Sequence, residues 1–167
     1  MIRTIADFER TWSTEIEATQ KVLKHVTTPS LTQVVNKDVR TLGRLAWHIV
    51  TSIPEMAERT GLHPAGPPAD APIPATAREI SDAYNAAAIS VLEQVKKEWT
   101  DATLSVEDEM YGEKWARGFT LEVLIHHQIH HRAQMTVAMR LLGLSVPGVY
   151  GPAQQEWGAY GMQAPVI

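Results

Sequence analysis

Four of the seven histidines of this 167-residue chain lie within six consecutive positions: His126, His127, His130 and His131. Neutral imidazole offers a lone pair near pH 7 and is a common ligand of borderline transition metals. Two imidazoles four residues apart on an α-helix stand one turn apart on the same face, so both can reach one ion. Two such pairs exist, His126 with His130 and His127 with His131. The blander alternative is a hydrogen-bonded core histidine, but burying two unpartnered imidazoles side by side costs free energy. Gln128 stands where a His-Glu-x-x-His motif carries its glutamate, so the base of that class of zinc peptidase is missing and its chemistry is excluded.

Helical rotation separates the two pairs. At about 100° per residue, Leu124, Met135, Ala138 and Leu142 fall within roughly 60° of one direction, and His127 and His131 share that arc. His126 lies opposite, with Glu122 and Arg140, and His130 is intermediate. Bundles build metal sites from inward-facing side chains, which favours His127 and His131.

Two ligands are too few, since a catalytic ion usually takes three from the protein and leaves a further position open. The chain has no cysteine, so thiolate ligands, disulfides and cysteine nucleophiles are all unavailable. His63 lies in a proline-rich stretch and His25 at the end of a helix. His48, mid-helix in Leu45-Ala46-Trp47-His48-Ile49, is the best candidate. Rotation about its own helix places it toward the polar flank, so periodicity leaves its part open.

Four long helical patterns must position these residues, and no strand pattern stands out between them. The first runs from Ile5 through Phe8, Trp12, Ile16, Thr19, Val22, Leu23 and Val26, with Asp7, Glu9, Glu15, Glu17, Lys21 and Lys24 largely on the other face and Pro29 ending it. The second begins near Thr41, carries Leu42, Leu45, Ala46, Ile49, Ile53 and Met56, and stops near Gly61. Pro54 is expected to kink it or start a new turn. Half of the 10 prolines fall between Leu62 and Thr76, which excludes helix there. Thr76-Ala77-Arg78-Glu79 then reads as a capping box. The helix it opens carries Ile80, Tyr84, Ala87, Ala88, Val91, Val95 and Trp99, with Glu93 and Lys97 as an outer i,i+4 pair. Thr100 to Gly118 has no clear pattern. Thr120 is expected to cap the fourth helix, which runs to about Leu142 with Gly143 as its stop. Leu144 to Ile167 is rich in proline and glycine and is expected to wrap the bundle, with one short helix after Pro152. The expectation is a single all-α domain over 1–167, an antiparallel four-helix bundle with a long crossover linker between helices 2 and 3.

Bulk properties narrow the function. The length fits one domain, and 44% hydrophobic with 20% charged residues is ordinary for a chain with a real core. A formal net charge of -4 with scattered lysines and arginines argues against nucleic-acid or anionic-membrane partners. There is no signal-like apolar core at the N-terminus and no window of roughly 18 apolar residues, so a cytoplasmic protein without a membrane span is expected.

Three segments carry a resemblance that spans nearly the whole chain. They are Leu45-Ala46-Trp47-His48, His127-Gln128-Ile129-His130-His131-Arg132-Ala133-Gln134, and Pro147-Gly148-Val149-Tyr150-Gly151-Pro152. Together they resemble the DinB/YfiT-like metalloenzyme family, named after damage-inducible protein B. The second is the most specific and is similar to the family's H-x-x-x-H-R-G-Q pattern, with Ala133 in place of the usual glycine. The resemblance implies a four-helix bundle, a homodimer, and a zinc or nickel ion held by His48, His127 and His131. It also implies activation of a low-molecular-weight thiol for transfer or isomerisation.

An ion with three neutral ligands keeps its full charge and lowers the pKa of bound water or an incoming thiol, which suits hydrolysis or thiol transfer on a small molecule. Gln134, Arg132, Tyr111, Trp115 and Tyr150 are candidates to surround the open position. Arg132 also reads as a surface or helix-pairing charge, Gln134 as a polar edge residue, and Trp115 and Tyr150 as covers for the bundle end. Trp47 and Trp99 read as core or interface aromatics. No acid/base pair stands out. The alternatives to an enzyme are a non-catalytic, stress-associated bundle that its ion holds together, and a helical dimerisation protein with idle histidines.

Overall fold

Each of the four α-helices begins where a side chain can accept from its orphan N–H groups, except the last. A computed structural model of the chain describes residues 2–166; Met1 and Ile167, the ends of the expected 1–167 domain, lie outside the described residues. Helix α1 (Ile5–Leu23) starts from a capping box in which the Asp7 N–H donates to Thr4 Oγ1 and the Thr4 N–H donates back to Asp7. It stops before Val26, and Pro29 opens a separate 3-10 turn, Thr28–Ser30, instead of ending the helix itself. Helix α2 (Leu42–Glu58) is capped by Thr41, and α3 (Ala77–Glu98) by the expected Thr76–Glu79 box. Helix α2 runs through Pro54 without a break. On α3 it is Lys96, not Lys97, that reaches Glu93, at 3.7 Å, while holding Glu9 of α1 at 2.6 Å.

The expected strict four-helix bundle needs correcting, because a two-stranded antiparallel hairpin interrupts the all-α pattern. Its strands β1 (Glu107–Met110) and β2 (Glu113–Ala116) pair Asp108 with Trp115 and Glu109 with Lys114. The loop between them is Tyr111-Gly112, with φ of 53° and 88°. Positive φ at both loop residues is the backbone of a tight hairpin turn, which glycine adopts freely and tyrosine only at a cost. Five of the eight strand residues are charged, so the strands lack the apolar alternation by which strands are recognised.

Because β2 leads straight into α4 (Arg117–Leu141), that helix starts earlier than Thr120. Ala116 occupies the cap position with no side-chain cap bond, and Thr120 is buried one turn inside, its hydroxyl donating to the Ala116 carbonyl at 3.5 Å. Gly143, with φ of 74°, follows the end of α4 as expected. The region after Pro152 forms a 3-10 helix, Gln154–Tyr160.

All four helices contribute to one apolar core that includes Trp12, Ile53, Tyr84, Val91, Leu124 and Met135. The proline-rich linker between α2 and α3 is irregular but tied down. Trp47 Nε1 donates to the Ala71 carbonyl at 2.8 Å, and the N–H groups of His63 and Ala65 donate to Gln94 and Ser90 of α3 at 2.8 Å each. Trp47 and Trp99 are buried, as expected of core aromatics. Among the described residues, no helix is long and apolar enough to cross a membrane.

Candidate metal centre

Helix α2 brings His48 against the face of α4 that carries His127 and His131. The ring centroids are 4.9 Å apart for His48 and His127, 4.6 Å for His48 and His131, and 4.4 Å for His127 and His131. One nitrogen from each ring lies within 4.8 Å of the others. Nitrogens sharing a tetrahedral ion at about 2.0–2.1 Å stand roughly 3.3 Å apart, so small side-chain rotations bring this donor set to one cation. Three imidazoles with no carboxylate among them suit zinc or nickel better than magnesium or calcium, which select oxygen.

The surroundings favour the metal-binding protonation state. Burial, with the nearby charges of His131, Arg40 and Arg44, pushes His48 down to about 4. Burial, then His131, His48 and His130, pushes His127 down to about 4 as well. Burial also lowers His131, against an opposing hydrogen bond with Gln134. All three rings are therefore neutral at pH 7 and can donate lone pairs. His131 Nδ1 stands 2.7 Å from Gln134 Oε1. Since a carbonyl oxygen only accepts, Nδ1 carries the proton and the free lone pair is left on Nε2. Ser52 donates its hydroxyl to the His48 carbonyl at 2.6 Å, one turn along α2.

Among the described residues, the other four histidines do not join this cluster. His126 and His130 are exposed, His130 more so than its rotation suggests, and His130 meets Gln134 at 3.1 Å and the edge of the His131 ring, centroids 4.9 Å apart. His25 is exposed with Nδ1 on the Lys21 carbonyl, and His63 lies exposed in the linker.

Two clefts meet at the histidines. One, of about 520 Å³, is lined by His48, His127, Arg40, Arg44, Glu55 and Tyr111 among others. The second, of about 700 Å³, has His131, Gln134 and Arg40 beside the apolar Val35, Val39 and Leu141. Within the first, Glu55 accepts from Tyr111 Oη at 2.6 Å and from Arg59 Nε at 2.7 Å, and the Arg59 guanidinium stacks 4.5 Å over the Tyr111 ring. These contacts hold Tyr111 in its positive-φ conformation, so backbone strain at the hairpin tip is offset by bonds made in the cleft. Glu55 was not among the expected residues. It lies seven positions after His48, two turns along the same face of α2, and that spacing is the signal that marks it.

The remaining expected neighbours divide. Tyr111 lines the cleft and Gln134 touches a histidine directly, so Gln134 is more than a polar edge. Trp115 lies between Tyr111 and Phe119, tilted against the first ring and edge-on to the second, and lines neither cleft. Arg132 points away from the histidines and is not a surface charge: it is 2% exposed, with Nη1 2.7 Å from Glu15 Oε2. Glu15, assigned by periodicity to the outer face of the first helix, is 4% exposed. Tyr150 reaches back from the C-terminal segment to this pair, accepting from Arg132 Nη2 at 2.6 Å and donating to Glu15 at 2.8 Å. Gln128, in the glutamate position of the peptidase motif, is buried and accepts from Tyr84 Oη at 2.9 Å.

Comparison with known proteins agrees with this architecture. The model of the DinB family matches residues 1–163. The chain is 42% identical over 165 residues to the uncharacterized protein YrdA of Bacillus subtilis (strain 168), covering 99% of both. The crystal structure of a DinB-like protein from Bacillus cereus ATCC 10987 superposes with a TM-score of 0.85 at 44% identity, covering 90% of this chain and 100% of that one. A second, the DinB-like protein YjoA of Bacillus subtilis, has a TM-score of 0.67 at 16% identity over 86% and 97% of the two chains, a likeness of fold alone.

Proposed function

The chain belongs to the DinB family, and from that premise we propose that His48, His127 and His131 bind one divalent cation, zinc or nickel, at the centre of a small-molecule transferase or hydrolase. The observation that carries this reading is the convergence of three ring nitrogens from two helices to within 4.8 Å. An ion held by three neutral ligands supplies Lewis acidity and makes a thiol or a water acidic near neutral pH.

The protein's own groups divide the remaining work. Gln134 fixes the tautomer of His131, and burial keeps His48 and His127 neutral and ready to bind. Glu55, steadied by Tyr111 and Arg59, faces the same cleft and is placed to take up a proton there. With no cysteine in the chain, a thiol nucleophile enters as a low-molecular-weight cosubstrate. The second cleft, apolar on one side, gives room for the other reactant. We read the four α-helices as an antiparallel bundle and the protein as a cytoplasmic homodimer, a state that sedimentation tests directly.

A non-catalytic ion that merely holds the helices together is the weaker reading, because the apolar core is continuous without the histidines. Metal analysis tests the site. Purified wild-type protein should carry about one ion per chain, and His48→Ala, His127→Ala and His131→Ala should each lose most of it. His126→Ala should retain it. Equal losses from His126→Ala and His127→Ala would place the site on the wrong face of α4.

A further inference from the structure

The first cleft carries an excess of positive charge that the protein leaves unanswered. Arg40 and Arg44 both line it, are exposed, and have no carboxylate partner among the described residues. Both share that cleft with His48 and His127, and Arg40 also lines the second cleft beside His131. The carboxylate lining that cleft belongs to Glu55, whose two oxygens are already engaged by Arg59 and Tyr111. A divalent ion on three neutral imidazoles adds two more positive charges within a few ångströms. Like charges so close repel, and a cleft of one sign concentrates ligands of the other.

We propose that Arg40 and Arg44 form a carboxylate-recognition subsite beside the three-histidine centre, so that a reactant of this protein is an organic acid. The inference rests on the metal-site reading and adds the substrate class to it. Guanidinium presents paired N–H donors that match the two oxygens of a carboxylate, and such charge-assisted contacts fix orientation as well as position. Arg40 lines both clefts, so the acid group sits at their junction while the body of the reactant extends into either one. The carboxylate arrives on the thiol or on its reaction partner. The chemistry recognised is the same in both cases.

Calorimetry on metal-loaded protein separates these sources. The ligands are 2-mercaptoethanol, 3-mercaptopropionate and propionate, measured with wild type and with Arg40→Gln/Arg44→Gln. Both positions are exposed, and the double variant should keep its metal and its fold. An acid on the thiol predicts that 3-mercaptopropionate binds about tenfold more tightly than 2-mercaptoethanol, with the gap gone in the variant. An acid on the partner predicts arginine-dependent binding of propionate that persists with 2-mercaptoethanol present. If neither acid distinguishes wild type from the variant, the subsite does not exist. Metal content is measured first, so failure of the histidine site registers separately. Arginine-dependent binding of propionate to the metal-free protein then still decides the claim.

Discussion

Arg132 of α4 and Glu15 of α1 form an ion pair at 2.7 Å, with both side chains almost wholly removed from solvent. The pair is satisfied on every side: Arg132 also donates to Thr19 Oγ1 at 3.0 Å, and Tyr150 bonds to both partners. Because Arg132 directly follows His131, this lock sets how α4 is rotated against α1 and which face the histidines present to α2. Breaking one side of a buried pair strands the other charge. Glu15→Ala should therefore cost about 3–5 kcal/mol in urea denaturation. Tyr150→Phe, which removes one hydroxyl from the network, should cost about 1–2 kcal/mol. A cost below 1 kcal/mol for Glu15→Ala would mean that the pair does not hold the helices.

Gln134 should matter to the metal without touching it. Gln134→Ala removes the acceptor that holds the proton on His131 Nδ1. Affinity for the ion should fall by about 10- to 100-fold, measured by competition with a chromogenic chelator. Ala133, exposed on the same helix, offers a control: Ala133→Ser should leave the affinity unchanged.

Removing the ion should not unfold the protein. The core joins all four helices independently of the histidines, so the far-ultraviolet circular dichroism of chelated protein should match that of the loaded form. The melting temperature should rise on reloading, because an ion that binds only the folded state stabilises it by about 2.7 kcal/mol at a hundredfold excess over Kd. Collapse of the helical signal on chelation would assign the ion a structural task.

The metal-free protein should weaken in mild acid. His48 and His127 titrate near 4 in the folded chain but near 6.5 once unfolded, so between those values the unfolded state binds more protons. Stability is then highest above about pH 6.5, falls as the pH drops toward about 4, and levels off below that. Urea midpoints at pH 7.5 and 5 should differ more for wild type than for His48→Asn/His127→Asn. A parallel pH dependence in the two proteins would show that these rings are not held neutral by burial.

Much of the site can be read from the chain alone. The four-residue spacing of His127 and His131 and their rotation with Leu124, Met135 and Ala138 depend only on the period of one helix, a local property. The same holds for the Thr76–Glu79 cap, the proline-rich linker and the absence of any thiol. The contribution of His48 is of another kind. On its own helix it sits toward a polar flank, and only the packing of α2 against α4 turns that flank into the wall of a cleft. Glu15 and Arg132 are 117 residues apart, and each alone reads as a solvated charge. Burial becomes affordable only when the partner arrives across the helix interface, which no periodicity can register. The hairpin is similarly hidden, because its polar strands are stabilised by pairing with each other and by Tyr111 bonding to Glu55. Helical period decides which residues share a face. Which two faces meet is decided by long-range packing, and the three-histidine cluster exists only where they do.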